Sequence, residues 1–272
     1  MATVTTGAGS GTRDGRAQER AAARELYKRA RRGRRSGKLR AMRLLAFDTS
    51  THWLSVACGD GHAWRTRGEP AGQGHSERLL PLVGDVLAEC GWTLADLDAI
   101  AFGAGPGSFT GVRIACAVAQ GLAFGSGRPL VPVPTLEAVA QQAWRLHGVT
   151  HVVACLDARM REVYVAAYER AGDAWQVRVP AAVLAPARVT PPPGDARWTG
   201  AGDGFTAYPE LAPALDLTRF DAAVTPDACA IAELALPRLA AGEAVAAADA
   251  LPLYVRHRVA LTTAERDAGV RL

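Results

Sequence analysis

Three sets of residues have the types and spacing to do chemistry. The first is Gly103-Ala-Gly-Pro-Gly-Ser-Phe-Thr-Gly-Val-Arg113, which follows an apolar segment read as a strand over 97–102 and opens a small-residue helix over 109–124. Gly105 and Gly107 permit a tight turn with φ > 0, and Ser108 is placed to cap the helix. Backbone N–H groups at the positive end of a helix dipole suit a phosphate or a carboxylate, although a plain sharp turn uses the same residues. The segment has neither P-loop spacing nor a dinucleotide fingerprint, since Ser108 stands where the latter needs glycine.

The second set is a repeated carboxylate. Asp48 ends the apolar run 44–48 and Asp157 ends 153–157; each precedes a short turn and a second strand with an aromatic near its start, Trp53 and Tyr164. With the glycine loop 199–204, which contains Gly200 and Gly202 after a short strand at 197–198, the two carboxylates could hold a magnesium-bound nucleotide across a cleft. Against that, Arg159 and Met160 fill the second turn, where close approach of a phosphate needs glycine. The bland alternative is that Asp48, Thr49 and Ser50 cap their own turn while Asp157, Arg159 and Glu162 make a local charged cluster. Asp48, Thr49, Ser50, Gly105, Gly107, Ser108, Asp157, Arg159, Gly200 and Gly202 are therefore read as a vestigial nucleotide cleft, and no catalytic residue is assigned.

The third set is His147-Gly-Val-Thr-His151, an i, i+4 pair that could bind zinc from one helix face. Gly148, Val149 and Thr150 make a poor helix and a strand begins near Val152, so the rings are expected to part and no metal site is assigned. Cys58, Cys90, Cys116, Cys155 and Cys229 form an odd count without a CxxC pair, which points to reduced thiols and a cytoplasmic location.

Two helices must carry these loops. Residues 75–90 place Leu79, Leu82, Val83, Val86 and Cys90 on one face and Leu80 and Leu87 on a second apolar strip, with Gly91 as the stop. The helix over 109–124 has Gly111, Ala115 and Ala119 at i, i+4 and i+8, a ridge that lets another helix come close. Packing within its own domain and docking of a partner both account for that ridge; the surplus apolar surface on the pair favours a partner. The interface expected on this basis is His75, Arg78, Leu79, Leu82, Val86, Phe109, Gly111, Val112, Ala115, Ala119 and Leu122.

At 272 residues, 49% hydrophobic and 21% charged, the composition is that of a soluble globular protein, and no apolar run is long enough to span a membrane. The net charge of +4 conceals a division: residues 1–41 hold twelve Lys/Arg against three acids, leaving nineteen against twenty-four in the remainder. The basic segment lacks an apolar period and is read as a disordered extension, either dispensable or a nucleic-acid-seeking arm. The rest is acidic, poor in aromatics and without a basic stripe, so direct RNA binding by it is not expected.

The stretches MRLLAFDTSTHWLSVA, HSERLLPLV, FGAGPGSFTGVRIACAVAQGLAFG, VPVPTLEAVAQ, LDARMREVYVAAYE and LPLYVR occur in order between Met42 and Arg256. Together they resemble the bacterial TsaB (YeaZ) family of tRNA threonylcarbamoyladenosine biosynthesis proteins. The resemblance implies a two-lobed α/β fold of the actin/sugar-kinase/Hsp70 (ribonuclease H-like) type, each lobe a mixed sheet flanked by helices, with lobes expected over 42–148 and 149–272. It also implies a non-catalytic subunit that forms a homodimer or pairs with the related transferase TsaD. With the ATPase TsaE, that pair serves threonylcarbamoyl transfer to tRNA; tRNA is met through the complex, and ATP or ADP with magnesium could sit at the complex interface. The metal-binding HxxxH of the catalytic relative is missing, because the helix expected to carry it starts Pro134-Thr-Leu-Glu-Ala138. An independent ATP-dependent enzyme or metallopeptidase of the same fold is the alternative.

Overall fold

The computed structural model describes residues 41–72 and 74–256. The basic segment read over 1–41 lies outside them except for Ala41. The described chain divides into two compact units.

The first unit is built on a five-stranded sheet of β1 (Leu44–Asp48), β2 (Trp53–Gly59), β3 (Trp64–Pro70), β4 (Ala99–Gly105) and β5 (Leu130–Pro134), in the order β3-β2-β1-β4-β5. β1 to β3 form an antiparallel meander and β4 runs parallel to β1. Period-two alternation sorts the side chains between two faces. Leu45 and Phe47 of β1, Leu54, Val56 and Cys58 of β2, and Ile100, Phe102 and Ala104 of β4 pack beneath α1 (His75–Cys90) and α2 (Phe109–Ser126). The opposite face receives α6 (Ala228–Ala241), where Ala228 and Cys229 meet Ala57 and the Ala228 N–H donates to Ser55 Oγ at 3.0 Å. Gly91, left-handed at φ +66°, ends α1, with its N–H and that of Trp92 returning to the Ala88 and Leu87 carbonyls.

The second unit repeats that topology. β6 (His151–Arg159), β7 (Glu162–Ala171) and β8 (Ala174–Leu184) form the meander, and β9 (Thr199–Ala201) and β10 (Arg219–Asp221) run parallel beyond β6, giving the order β10-β9-β6-β7-β8. Leu136, Val139, Ala140 and Ala143 of α3 (Thr135–His147) cover one face. The short helices α4 (Gly204–Ala207) and α5 (Leu211–Ala214) supply Phe205, Leu211 and Ala212 to the other. The expected mixed sheets flanked by helices are thus present twice.

A single cut at residue 148 does not describe the division. Residues 134–147 belong with the second unit because α3 packs on β6 and β7, and residues 226–251 return to the first, where Val245 bridges Leu130. Two strand readings also shift. The strand read over 97–102 is Ala99–Gly105, so the glycine-dense segment starts inside β4, and the strand read at 197–198 is Thr199–Ala201, placed between β6 and β10.

Candidate functional site

The turn after β1 is closed upon itself. Asp48 Oδ1 accepts from the Ser50 N–H at 2.9 Å and from Ser50 Oγ at 2.8 Å, and Thr49 Oγ1 donates to the Gly111 carbonyl at 2.7 Å, tying the turn to the first turn of α2. All three residues are buried. Asp48 Oδ2 has no hydrogen-bond partner and lies in the space a side chain at Gly103 would take, 1.8 Å from where its Cβ would be. The register explains the encounter: Phe47 pairs with Phe102, so Asp48 and Gly103 follow side by side on parallel strands, facing α6. Burial pushes the Asp48 carboxyl up to about 7; the Ser50 hydrogen bonds oppose this and the Asp227 carboxylate adds to it. Gly103 therefore makes room for a carboxyl group of this chain.

Residues 105–108, the last of β4 and the three that follow, group with the second unit: Gly105, at φ +108° and buried, donates its N–H to Thr135 Oγ1 at 3.1 Å; Gly107 is half-buried and Ser108 exposed. Asp157 receives the Arg159 N–H at 2.8 Å and pairs with the Arg159 guanidinium at 3.0 Å, while its own N–H donates to Asp203 Oδ1 at 3.0 Å. Glu162, expected to join that cluster, instead binds Arg256, which also donates to the Ala158 carbonyl and contacts Met160 Sδ. The turn Arg159-Met160-Arg161 holds φ of +60°, +55° and +60°, the left-handed backbone that glycine adopts freely, with three long side chains in its place.

The second glycine loop is filled by its own unit. A Cβ at Gly202 would lie 2.2 Å from the Cys155 carbonyl oxygen, one at Gly204 2.4 Å from the Cys155 Sγ, and one at Gly200, inside β9, 2.7 Å from the Phe205 ring. Close packing on β6 and the aromatic core accounts for these glycines.

The two histidines part as expected. His147 closes α3 and its Nε2 lies 2.7 Å from Asp221 Oδ2, whereas His151 opens β6, stands 3.6 Å from Glu169 and meets the Trp198 ring edge-on. Among the described residues no group of three or more His, Cys, Asp or Glu side chains could hold a metal ion, and no helix is long and apolar enough to cross a membrane.

The two helices read from the sequence are present, but several residues chosen from them point inward. Leu79, Val86, Ala115 and Ala119 are fully buried in the core of their own unit, and Gly111 and Val112 are buried too. The ridge of small residues open to solvent is the neighbouring one, Ala117, Gly121 and Gly125, flanked by Phe109 at 44% and Phe124 at 78% exposure. On α1, Leu80 is 50% exposed, Gly84 is open and Leu82 is half-buried, as is Leu122 of α2. Arg78 is exposed and forks onto Glu69 of β3. His75 is buried at the start of α1; burial lowers its pKa, opposed by hydrogen bonds to the Thr51 and Gly72 backbone, so the ring is neutral at pH 7.

The model of the family "TsaD: tRNA N6-adenosine threonylcarbamoyltransferase" matches residues 68–257. The chain is 41% identical over 225 residues to the tRNA threonylcarbamoyladenosine biosynthesis protein TsaB of Escherichia coli (strain K12), covering 80% of this chain and 96% of that protein. It is 38% identical over 224 residues to TsaB of Haemophilus influenzae, covering 79% and 94%. The solved structure of YeaZ from Pseudomonas aeruginosa superposes with a TM-score of 0.75 at 44% identity, covering 78% of this chain and 99% of that one. With matched motifs, a doubled α/β fold and this degree of likeness, the chain belongs to the TsaB/YeaZ family, the non-catalytic accessory relatives of TsaD in tRNA threonylcarbamoyladenosine synthesis.

Proposed function

We propose that this chain serves as a scaffold that binds TsaD through the outer face of α1 and α2, forms a homodimer through the same face when TsaD is absent, and works with TsaE in threonylcarbamoyl transfer to tRNA. TsaD supplies the transfer chemistry, tRNA is met through the complex, and ATP or ADP with magnesium binds at the complex interface. The protein acts in the cytoplasm, where its five free thiols persist. The observation that carries the reading, beside the family, is the unfilled outer surface of the two helices. A Cβ at Gly84, Gly121 or Gly125 would meet nothing within 4 Å, while Leu80 and Phe124 expose apolar side chains beside them. Small residues on a ridge let a partner helix approach closely, and exposed apolar neighbours supply the area that association buries.

The test is threonylcarbamoyladenosine formation on unmodified tRNA, with purified TsaD, TsaE and a supply of threonylcarbamoyl-adenylate, with and without this chain. Product that depends on the chain supports the scaffold; an active TsaD system that gains nothing from it removes the reading. Gly121→Arg is expected to leave the fold intact and to abolish association in light scattering. Ala115→Arg, directed into the core, is expected to prevent folding. A folded Gly121→Arg protein that still associates would move the interface off α2.

A further inference from the structure

All five cysteines are free thiols, and two of them meet. Cys58 lies near the end of β2 on the face that α1 covers, alongside Leu54 and Val56, and Cys90 is the last residue of α1. The Cys90 Sγ donates to the Cys58 carbonyl oxygen at 3.6 Å, and the two thiols are side-chain partners of one another. Cys116 turns instead to the Ala250 carbonyl, and Cys155 and Cys229 sit in other clusters. The pair is asymmetric: Cys58 is fully buried, whereas Cys90 is half-buried at the helix end, where an oxidant arriving from solvent meets it first. The helix end is already anchored there, since Glu89 pairs with Arg67 of β3.

We infer that Cys58 and Cys90 form a reversible intramolecular disulfide, a redox modification site that fastens the C-terminal end of α1 to β2 when the chain meets a peroxide. The Cys90 sulfur attacks one peroxide oxygen, the O–O bond breaks, and the released hydroxide leaves with the Cys90 proton as water, giving a sulfenic acid. The Cys58 sulfur then displaces hydroxide from that sulfur; the S–S bond forms, the S–O bond breaks, and the Cys58 proton leaves with the hydroxide as a second water. Two thiols lose two electrons, one peroxide becomes two waters, and a dithiol reverses the change. Cys58 is fully buried and Cys90 is not, so the peroxide reaches Cys90 first, which sets the order of the two steps.

The full-length chain, exposed to hydrogen peroxide, quenched in acid and digested without reduction, is mapped by mass spectrometry. The expected result is one peptide pair joined through Cys58 and Cys90, a loss of two of the five thiols, and recovery of both with dithiothreitol. Cys90→Ser is expected to leave Cys58 unoxidised, and Cys116→Ser to retain the pair. Cys90 carried on to a sulfinic acid beside a free Cys58, a link between two chains, a link to another cysteine, or five intact thiols would each overturn the inference. The wild-type map decides even if either variant fails to fold.

Discussion

The turn after β1 and the turn after β6 occupy equivalent places in two sheets of the same topology, yet they have been put to opposite uses. In the first unit the turn is drawn inward: Asp48, Thr49 and Ser50 are buried, Ser50 is bonded to Asp48, and Thr49 pins the turn to α2. In the second it is pushed outward, with Arg159, Met160 and Arg161 in left-handed backbone at the surface and Arg256 bracing its base. Shared topology thus preserves the strand ladder and leaves the chemistry of the turns free to diverge. The first turn spends its hydroxyl groups on bonds within the chain, and the second carries long side chains in backbone that glycine adopts freely.

The contrast can be tested from its inward side first. Unfolded, Asp48 ionises near 3.8; folded, near 7. Between those values the folded chain keeps a proton that the unfolded chain has lost, so stability is full at low pH, falls as pH rises through that window and is level above it. The whole shift is worth about 4 kcal/mol. Asp48→Asn is expected to flatten this part of the pH profile in urea titrations from pH 4 to 8; an unchanged slope would mean that the buried acid is not its source. Gly103→Ala should cost about 3 kcal/mol by forcing a methyl group onto Asp48 Oδ2. The cost should shrink in an Asp48→Ala background, and strictly additive losses would break the proposed contact.

The outward turn predicts smaller effects. Arg256→Ala removes the partner of Glu162 and the donor to the Ala158 carbonyl, with an expected loss of about 2 kcal/mol and faster amide exchange at the tip of the β6–β7 hairpin. Met160→Gly relieves one left-handed side chain and should raise stability by about 1 kcal/mol. A loss at Met160→Gly would show that its packing against Arg256 outweighs the backbone strain.

Where strong local signals coincide, sequence and structure agree: His75–Cys90 ends at a glycine that takes the left-handed cap, and α2 begins at Phe109. The side of α2 that faces inward was harder to read, because both ridges, Gly111/Ala115/Ala119 and Ala117/Gly121/Gly125, consist of small residues at helical spacing. A helix apolar on nearly every side carries no polar stripe to set its rotation. Asp48 is legible as a turn former, but strand register is invisible in a single chain, so nothing in the sequence sets Gly103 beside it. Arg256 lay within a recognised motif without a role, since its partners are more than ninety residues away.

The return of residues 226–251 to the first unit has a consequence for synthesis. The strands of that unit have all been made by Pro134, yet the helix that covers Asp48 and the segment that bridges β5 through Val245 emerge only after residues 134–225 of the second unit have been translated. At ordinary elongation rates the half-built sheet waits on the order of ten seconds with one face uncovered. The second unit has most of its elements in one unbroken stretch and can close while the ribosome is still adding the residues that complete the first.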